Sequence, residues 1–196
     1  MAMGSSVDQR VGSRLGKYAI VRRIGAGAMG DVYEGRHVEL DKRVAVKTLR
    51  RDRAGDPEAR ARFHREGTAA ARVRHPHAVE VFDVGEERDV PYLVMEYLEG
   101  EDLAAWLARE GPQSPEVIAD VMLPVLAAVA AAHDEGVLHR DLKPSNIFLA
   151  RTRDGELAPK VVDFGVSSIA SVQQLGAVTH ANAIVGTPAY MSPEQT

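Results

Sequence analysis

Polar and apolar positions change their period partway along these 196 residues. Tyr18-Ala19-Ile20-Val21, Asp31-Val32-Tyr33-Glu34-Gly35 and Arg43-Val44-Ala45-Val46-Lys47-Thr48-Leu49 show the alternation or the short apolar runs of strands. A helix is predicted next: Asp56 suits an N-cap, Pro57 the first helical position and Glu58 the positive end of the helix dipole, and Pro76 sets its limit. Two strands come after it, Ala78–Val84 and Tyr92–Tyr97, joined by a charged turn. From Gly100 the pattern turns helical. Asp102–Glu110 stops at Gly111-Pro112, and Ser114-Pro115-Glu116 opens a longer helix to about His133, which Pro124 should kink or break. The apolar run Val121–Ala132 in that helix is too short to cross a bilayer and is read as a buried core helix. Short strands return at Asn146–Ala150 and Lys160–Val162 around a turn at Asp154-Gly155. Residues 163–196 have no strong period, and a loop of that length is functional or mobile.

The order is a strand-rich half with one helix, a link near Leu98–Gly100, then a helix-rich half. Two lobes with a cleft between them suit a small-molecule site. Composition adds mainly exclusions. A 45% hydrophobic content supports a core, and a net charge of −4 gives no reason to expect nucleic acid or an anionic membrane as partner. Without cysteine there are no disulfides or thiolate metal sites, which fits a reducing cytoplasm. The polar start, residues 1–14, lacks the apolar stretch of a signal peptide and is read as a flexible segment.

Candidate chemistry begins at Gly25-Ala26-Gly27-Ala28-Met29-Gly30, a G-x-G-x-x-G cluster. Glycines let backbone N–H groups approach phosphate oxygens with no Cβ in the way, although they also mark ordinary hairpin turns. The cluster leads into a strand, not into the helix of a dinucleotide site, and no Gly-Lys-Ser/Thr is present. Lys47 ends an apolar strand, where it can act as a point charge on phosphates or reach solvent. A buried cation needs an anion. Glu66 is the one acid in its helix past the first turn, and its other reading is an exposed pair with a neighbouring arginine. Asp163, in Asp163-Phe164-Gly165 after the strand Lys160–Val162, offers a carboxylate of the kind Mg²⁺ prefers.

The densest signal is His139-Arg140-Asp141-Leu142-Lys143-Pro144-Ser145-Asn146, which matches H-R-D-L-x-x-x-N at each specified position. With the glycine loop, Val44-Ala45-Val46-Lys47, Asp163-Phe164-Gly165 and the stretch Gly186–Glu194 in order, the chain resembles the eukaryotic-like (Hanks-type) serine/threonine protein kinases of bacteria. That resemblance implies an α+β, bilobal protein-kinase-like fold. Residues 15–98 would be an N-lobe with an antiparallel sheet plus one helix, and 99–196 a partial helical C-lobe. It also implies a chain cut off before the larger lobe ends, whose activity as a fragment is an open question.

The resemblance further implies an ATP-dependent protein kinase using Mg²⁺, or Mn²⁺ in its place. Asp141 would accept or orient the substrate hydroxyl proton, Lys143 would neutralise the γ-phosphate, and Asn146 with Asp163 would hold the metal. Lys47, steadied by Glu66, would hold the α/β phosphates beneath Gly25, Ala26, Gly27, Ala28, Met29 and Gly30. Met95 would be the gatekeeper, the Glu96 and Leu98 backbones would bind adenine, and Asp102 would reach the ribose. Ile24, Val32, Ala45 and Phe148 would sandwich the base, although each read alone is plain core. Thr179 would be the phosphorylated switch, with Arg140 and Arg62 as candidate cations for its phosphate. Thr187 and Glu194 would serve the substrate-docking segment. Partners would be proteins bearing Ser or Thr, with self-association as a route to trans-autophosphorylation. The chain would work in the cytoplasm, with any membrane anchor lying outside it. The competing readings are a nucleotide-binding pseudokinase or scaffold and a small-molecule phosphotransferase.

Overall fold

The computed structural model describes residues 10–27, 30–152, 154–164 and 190, with the Arg51 side chain left aside. The chain divides into two units: Met1–His64 with Val81–Tyr97, and Arg65–Glu80 with Leu98–Thr196.

The first unit is built on six strands: β1 (Arg14–Leu15), β2 (Tyr18–Ala26), β3 (Gly30–His37), β4 (Arg43–Leu49), β5 (Val81–Glu87) and β6 (Val90–Glu96). They form one antiparallel sheet in the order β1-β2-β3-β4-β6-β5. Arg88 and Asp89 make the β5–β6 turn with φ of 50° and 63°, a conformation in which both central residues must be left-handed. Strand alternation divides the side chains between two faces. Leu15, Tyr18, Ile20, Tyr33, Val44, Val46, Tyr92 and Val94 form the core of one face. The Tyr18 phenol bonds Asp83 at 3.3 Å, and burial beside that carboxylate pushes its pKa up to about 12. Across the sheet, Leu49 and Leu93 pack with Phe63 of the helix α2 (Pro57–Ala70).

That helix starts where its residue types require. The Asp56 side chain accepts from the Glu58 N–H at 2.9 Å, and its carbonyl accepts from Arg60. A four-residue helix α1 (Arg51–Ala54) precedes it. Arg60 bridges from α2 to Glu86 and Asp89, acids of the same unit.

In the second unit, β7 (Gly100–Asp102), β8 (Ile147–Arg151) and β9 (Leu157–Val161) form a small antiparallel sheet beside α3 (Leu103–Glu110) and α4 (Pro115–Asp134). Asp102 caps α3 through Ala105 N–H at 2.9 Å, and Ser114 caps α4 through Val117 N–H. The expected strand at Ala78 begins instead at Val81. Ala78 and Val79 lie along β9, where Val79 N–H donates to the Val161 carbonyl and Val161 N–H to that of His77.

The long helix departs from its expected character. It runs through Pro124 as one element rather than breaking. The missing N–H would have served Asp120, which is exposed, so water can take its place. Only Val125, Ala128 and Ala132 are fully buried, a stripe at helical spacing on the side packed against β9. Leu123 and Leu126 are 65% and 54% exposed among the described residues. The reading of a buried core helix is thus corrected to one buried stripe and an apolar outer face. By length and composition the whole helix is also long and apolar enough to cross a membrane, which the 121–132 run alone is not.

Candidate active site

In the first unit, register brings the nucleotide candidates onto one sheet face. Lys47 lies opposite Val32 on one side and Leu93 on the other, and Ala45 lies opposite Met95. Directly opposed residues of antiparallel strands point the same way, so Val32, Ala45, Lys47 and Met95 share a face with Leu49 and Leu93. Lys47 is only 5% exposed. Glu96 pairs with Val44 at the far end of β6.

The glycine cluster spans the β2–β3 hairpin. Gly25 opposes Val32, Ala26 opposes Asp31, and Gly27 N–H donates to the Gly30 carbonyl at 2.8 Å. Ala28 and Met29 lie outside the described residues. A Cβ at Gly30 would run into the Thr48 carbonyl oxygen, so glycine is required there by close packing on β4. Ile24 is exposed, next to a register shift in β2.

On α2, Glu66 is 4% exposed and lies one turn beyond Phe63 on the same helix face. Arg62 pairs with Glu58 at 3.4 Å.

The second unit assembles the catalytic candidates in a few residues. A 3-10 turn, Pro144–Asn146, leads into β8. Asn146 Nδ2 donates to the Asp141 carbonyl at 2.7 Å and to Asp141 Oδ2 at 3.3 Å, while Lys143 Nζ lies 2.8 Å from that carboxylate oxygen. Arg140 has φ of 61°, the bend that carries the chain into Asp141.

His139 belongs to the sequence motif, but its residue type alone assigns it no role; the structure supplies one. Its Nε2–H donates to the Val162 carbonyl at 2.9 Å, and its Nδ1 accepts from the Asp141 N–H at 3.3 Å. Both ring nitrogens are used, which fixes the neutral tautomer. Burial lowers its pKa below the usual histidine value, against the opposing pull of the Val162 carbonyl and the Asp163 and Asp141 charges. The imidazole thus ties the segment that carries Asp141 to the residue before Asp163.

Val162 N–H donates to the Asn146 carbonyl at 3.0 Å, closing the same junction from the other side. Asp163 itself has φ of 62°, and the buried Phe164 ring packs 5.3 Å from His139. Asn146 and Asp163 are therefore held on adjoining backbone and offer oxygen donors of the type a hard divalent cation takes. Phe148 lies opposite Asp102 across β7 and β8, and one Asp102 oxygen is engaged in the α3 cap. Leu98 is half-buried at the entry to this unit. Thr179, Thr187 and Glu194 lie outside the described residues.

Residues 18–196 match the family described as "Protein kinase domain". The chain belongs to that family. Over 96% of its length it is 43% identical to the serine/threonine-protein kinase Pkn1 of Myxococcus xanthus, and over 94% it is 40% identical to PrkC of Bacillus subtilis. It spans only 27% and 28% of those relatives. The kinase domain of Mycobacterium tuberculosis PknI superposes with a TM-score of 0.69 at 36% identity, over 80% of this chain and 63% of that one. The expected protein kinase fold and the resemblance to bacterial serine/threonine kinases are both borne out.

Proposed function

We propose that this chain carries the phosphoryl-transfer machinery of an ATP-dependent protein serine/threonine kinase. The observation that carries the reading is the Asp141–Lys143–Asn146 cluster, pinned through His139 and Val162 to Asp163. In the proposed reaction the Ser or Thr hydroxyl oxygen bonds to the γ-phosphorus, the bond to the β–γ bridging oxygen breaks and ADP leaves. Asp141 orients the hydroxyl and takes its proton, and Lys143 offsets charge on the transferred group. Asn146 and Asp163 would hold Mg²⁺, which when bound screens the phosphate oxygens. Lys47, with Glu66 as its steadying carboxylate, and the backbone from Gly25 to Gly30 orient the phosphates.

Ile24, Val32, Ala45, Met95 and Phe148 would bind the base together with the Glu96 and Leu98 backbones, and Asp102 would reach the ribose. The substrates would be proteins bearing Ser or Thr, met in the cytoplasm, and self-association would allow phosphorylation in trans. Phosphate on Thr179, paired with Arg140 or Arg62, would regulate the site. Phosphosite mapping beside Thr179→Ala kinetics tests that step, and full activity in the variant refutes it.

The decisive assay is transfer of label from γ-labelled ATP with Mg²⁺ to a basic protein, followed by phosphoamino-acid analysis. Phosphoserine and phosphothreonine are expected. Label on a small alcohol, or none with the full-length protein, overturns the reading.

A further inference from the structure

Arg10 is 5% exposed, although it lies in a polar stretch that gives no sign of burial. Its guanidinium donates to Thr48 Oγ1 and, at 3.2 Å, to the Leu49 carbonyl. The turn that carries it is fastened to β2: Gly12 N–H donates to the Ile20 carbonyl, Ile20 N–H to that of Ser13, and the Ser13 hydroxyl to the Arg10 carbonyl. Thr48 and Leu49 directly follow Lys47 in β4. Thr48 points to the opposite sheet face from Lys47, and pairing of β4 with β6 ends at Thr48. Arg10 therefore grips β4 from behind, where the ladder on one side stops. The Thr48 backbone is also the surface against which Gly30 closes the glycine hairpin. One buried cation thus touches the short piece of backbone that sets both Lys47 and the end of the glycine loop.

We propose that Arg10 is a positioning residue for phosphate binding, acting through Thr48 and Leu49 on Lys47 and Gly30. The inference rests on the nucleotide-binding role proposed for this site. It makes a prediction a merely structural arginine would not. Loss of Arg10 should weaken ligands that carry phosphates and spare those that carry only the base and sugar.

The test is calorimetric binding of ATP with Mg²⁺, and of adenosine, to the full-length protein and to its Arg10→Ala, Arg10→Lys, Thr48→Val and Lys47→Met variants. Arg10→Ala should lose about tenfold in ATP affinity, the scale of one hydrogen bond to a charged group, with adenosine affinity unchanged. Lys47→Met should lose at least as much, and Arg10→Lys should recover part of it. Should Arg10→Ala not fold, Arg10→Lys and Thr48→Val carry the same comparison. Equal losses for ATP and adenosine, or a lowered melting temperature with both affinities intact, overturn the inference while leaving the functional reading standing. A wild-type chain that does not prefer ATP to adenosine overturns both.

Discussion

His139 shows how a single side chain can hold the loop that carries Asp141. It commits one nitrogen to Val162 and the other to Asp141, so it must stay neutral to keep both bonds. Its lowered pKa means the unfolded chain binds a proton more readily than the folded one. Stability from this group is full above the unfolded histidine value, about 6.5, and falls as pH drops below it toward the folded value. Thermal unfolding between about pH 7 and 5 should show that loss, and His139→Gln should flatten part of the slope. An unchanged slope would mean that other groups govern acid stability. Lys47 makes a second prediction at this scale. Lys47→Met should weaken ATP binding by about tenfold or more, since it removes the buried cation proposed to hold the phosphates. Equal ATP affinity in the variant would remove Lys47 from the phosphate site.

At the scale of elements, the caps can be tested one by one. Ser114→Ala removes the hydroxyl that receives Val117 N–H at the start of α4 and should cost about 1 kcal/mol, read by denaturant unfolding. On the same helix, Val125→Ala should cost about 2 kcal/mol, because it opens space in the stripe against β9. Leu126→Gln, on the outer face, should stay within about 0.5 kcal/mol in this chain. Similar losses at both sites would contradict the single buried stripe.

Many of these elements are legible in the sequence. Asp56-Pro57 and Ser114-Pro115 mark helix starts because capping is local chemistry. The elements that escape have a local signal too short or a cause too distant. The strand β1 has two residues and the helix α1 four, only about one period of the pattern that would reveal each. Ala78 and Val79 read as strand but bond to β9, far off in sequence. An apolar run such as 121–132 cannot say which of its faces meets a neighbour.

For the whole molecule, chemistry-bearing residues are more legible than the contacts that steady them. The motif residues from Lys47 to Asp163 stand out by type and spacing, whereas the burial of Arg10 depends on a fold-back onto β4 that no short window encodes. Lys47 and Glu66, the proposed partners, are both buried. A double-mutant cycle of Lys47→Met and Glu66→Gln on ATP affinity should show coupling of about 1 kcal/mol or more, and additive losses would dissolve the partnership.

The central claim is that Asp141 acts on the acceptor hydroxyl while other residues hold the nucleotide. Asp141→Asn in the full-length protein, followed by label transfer from ATP and by direct nucleotide binding, tests it most simply. Transfer should fall by about 100-fold or more while ATP affinity stays within about threefold of wild type. Transfer that persists, or ATP affinity that falls as far as the rate, would contradict it.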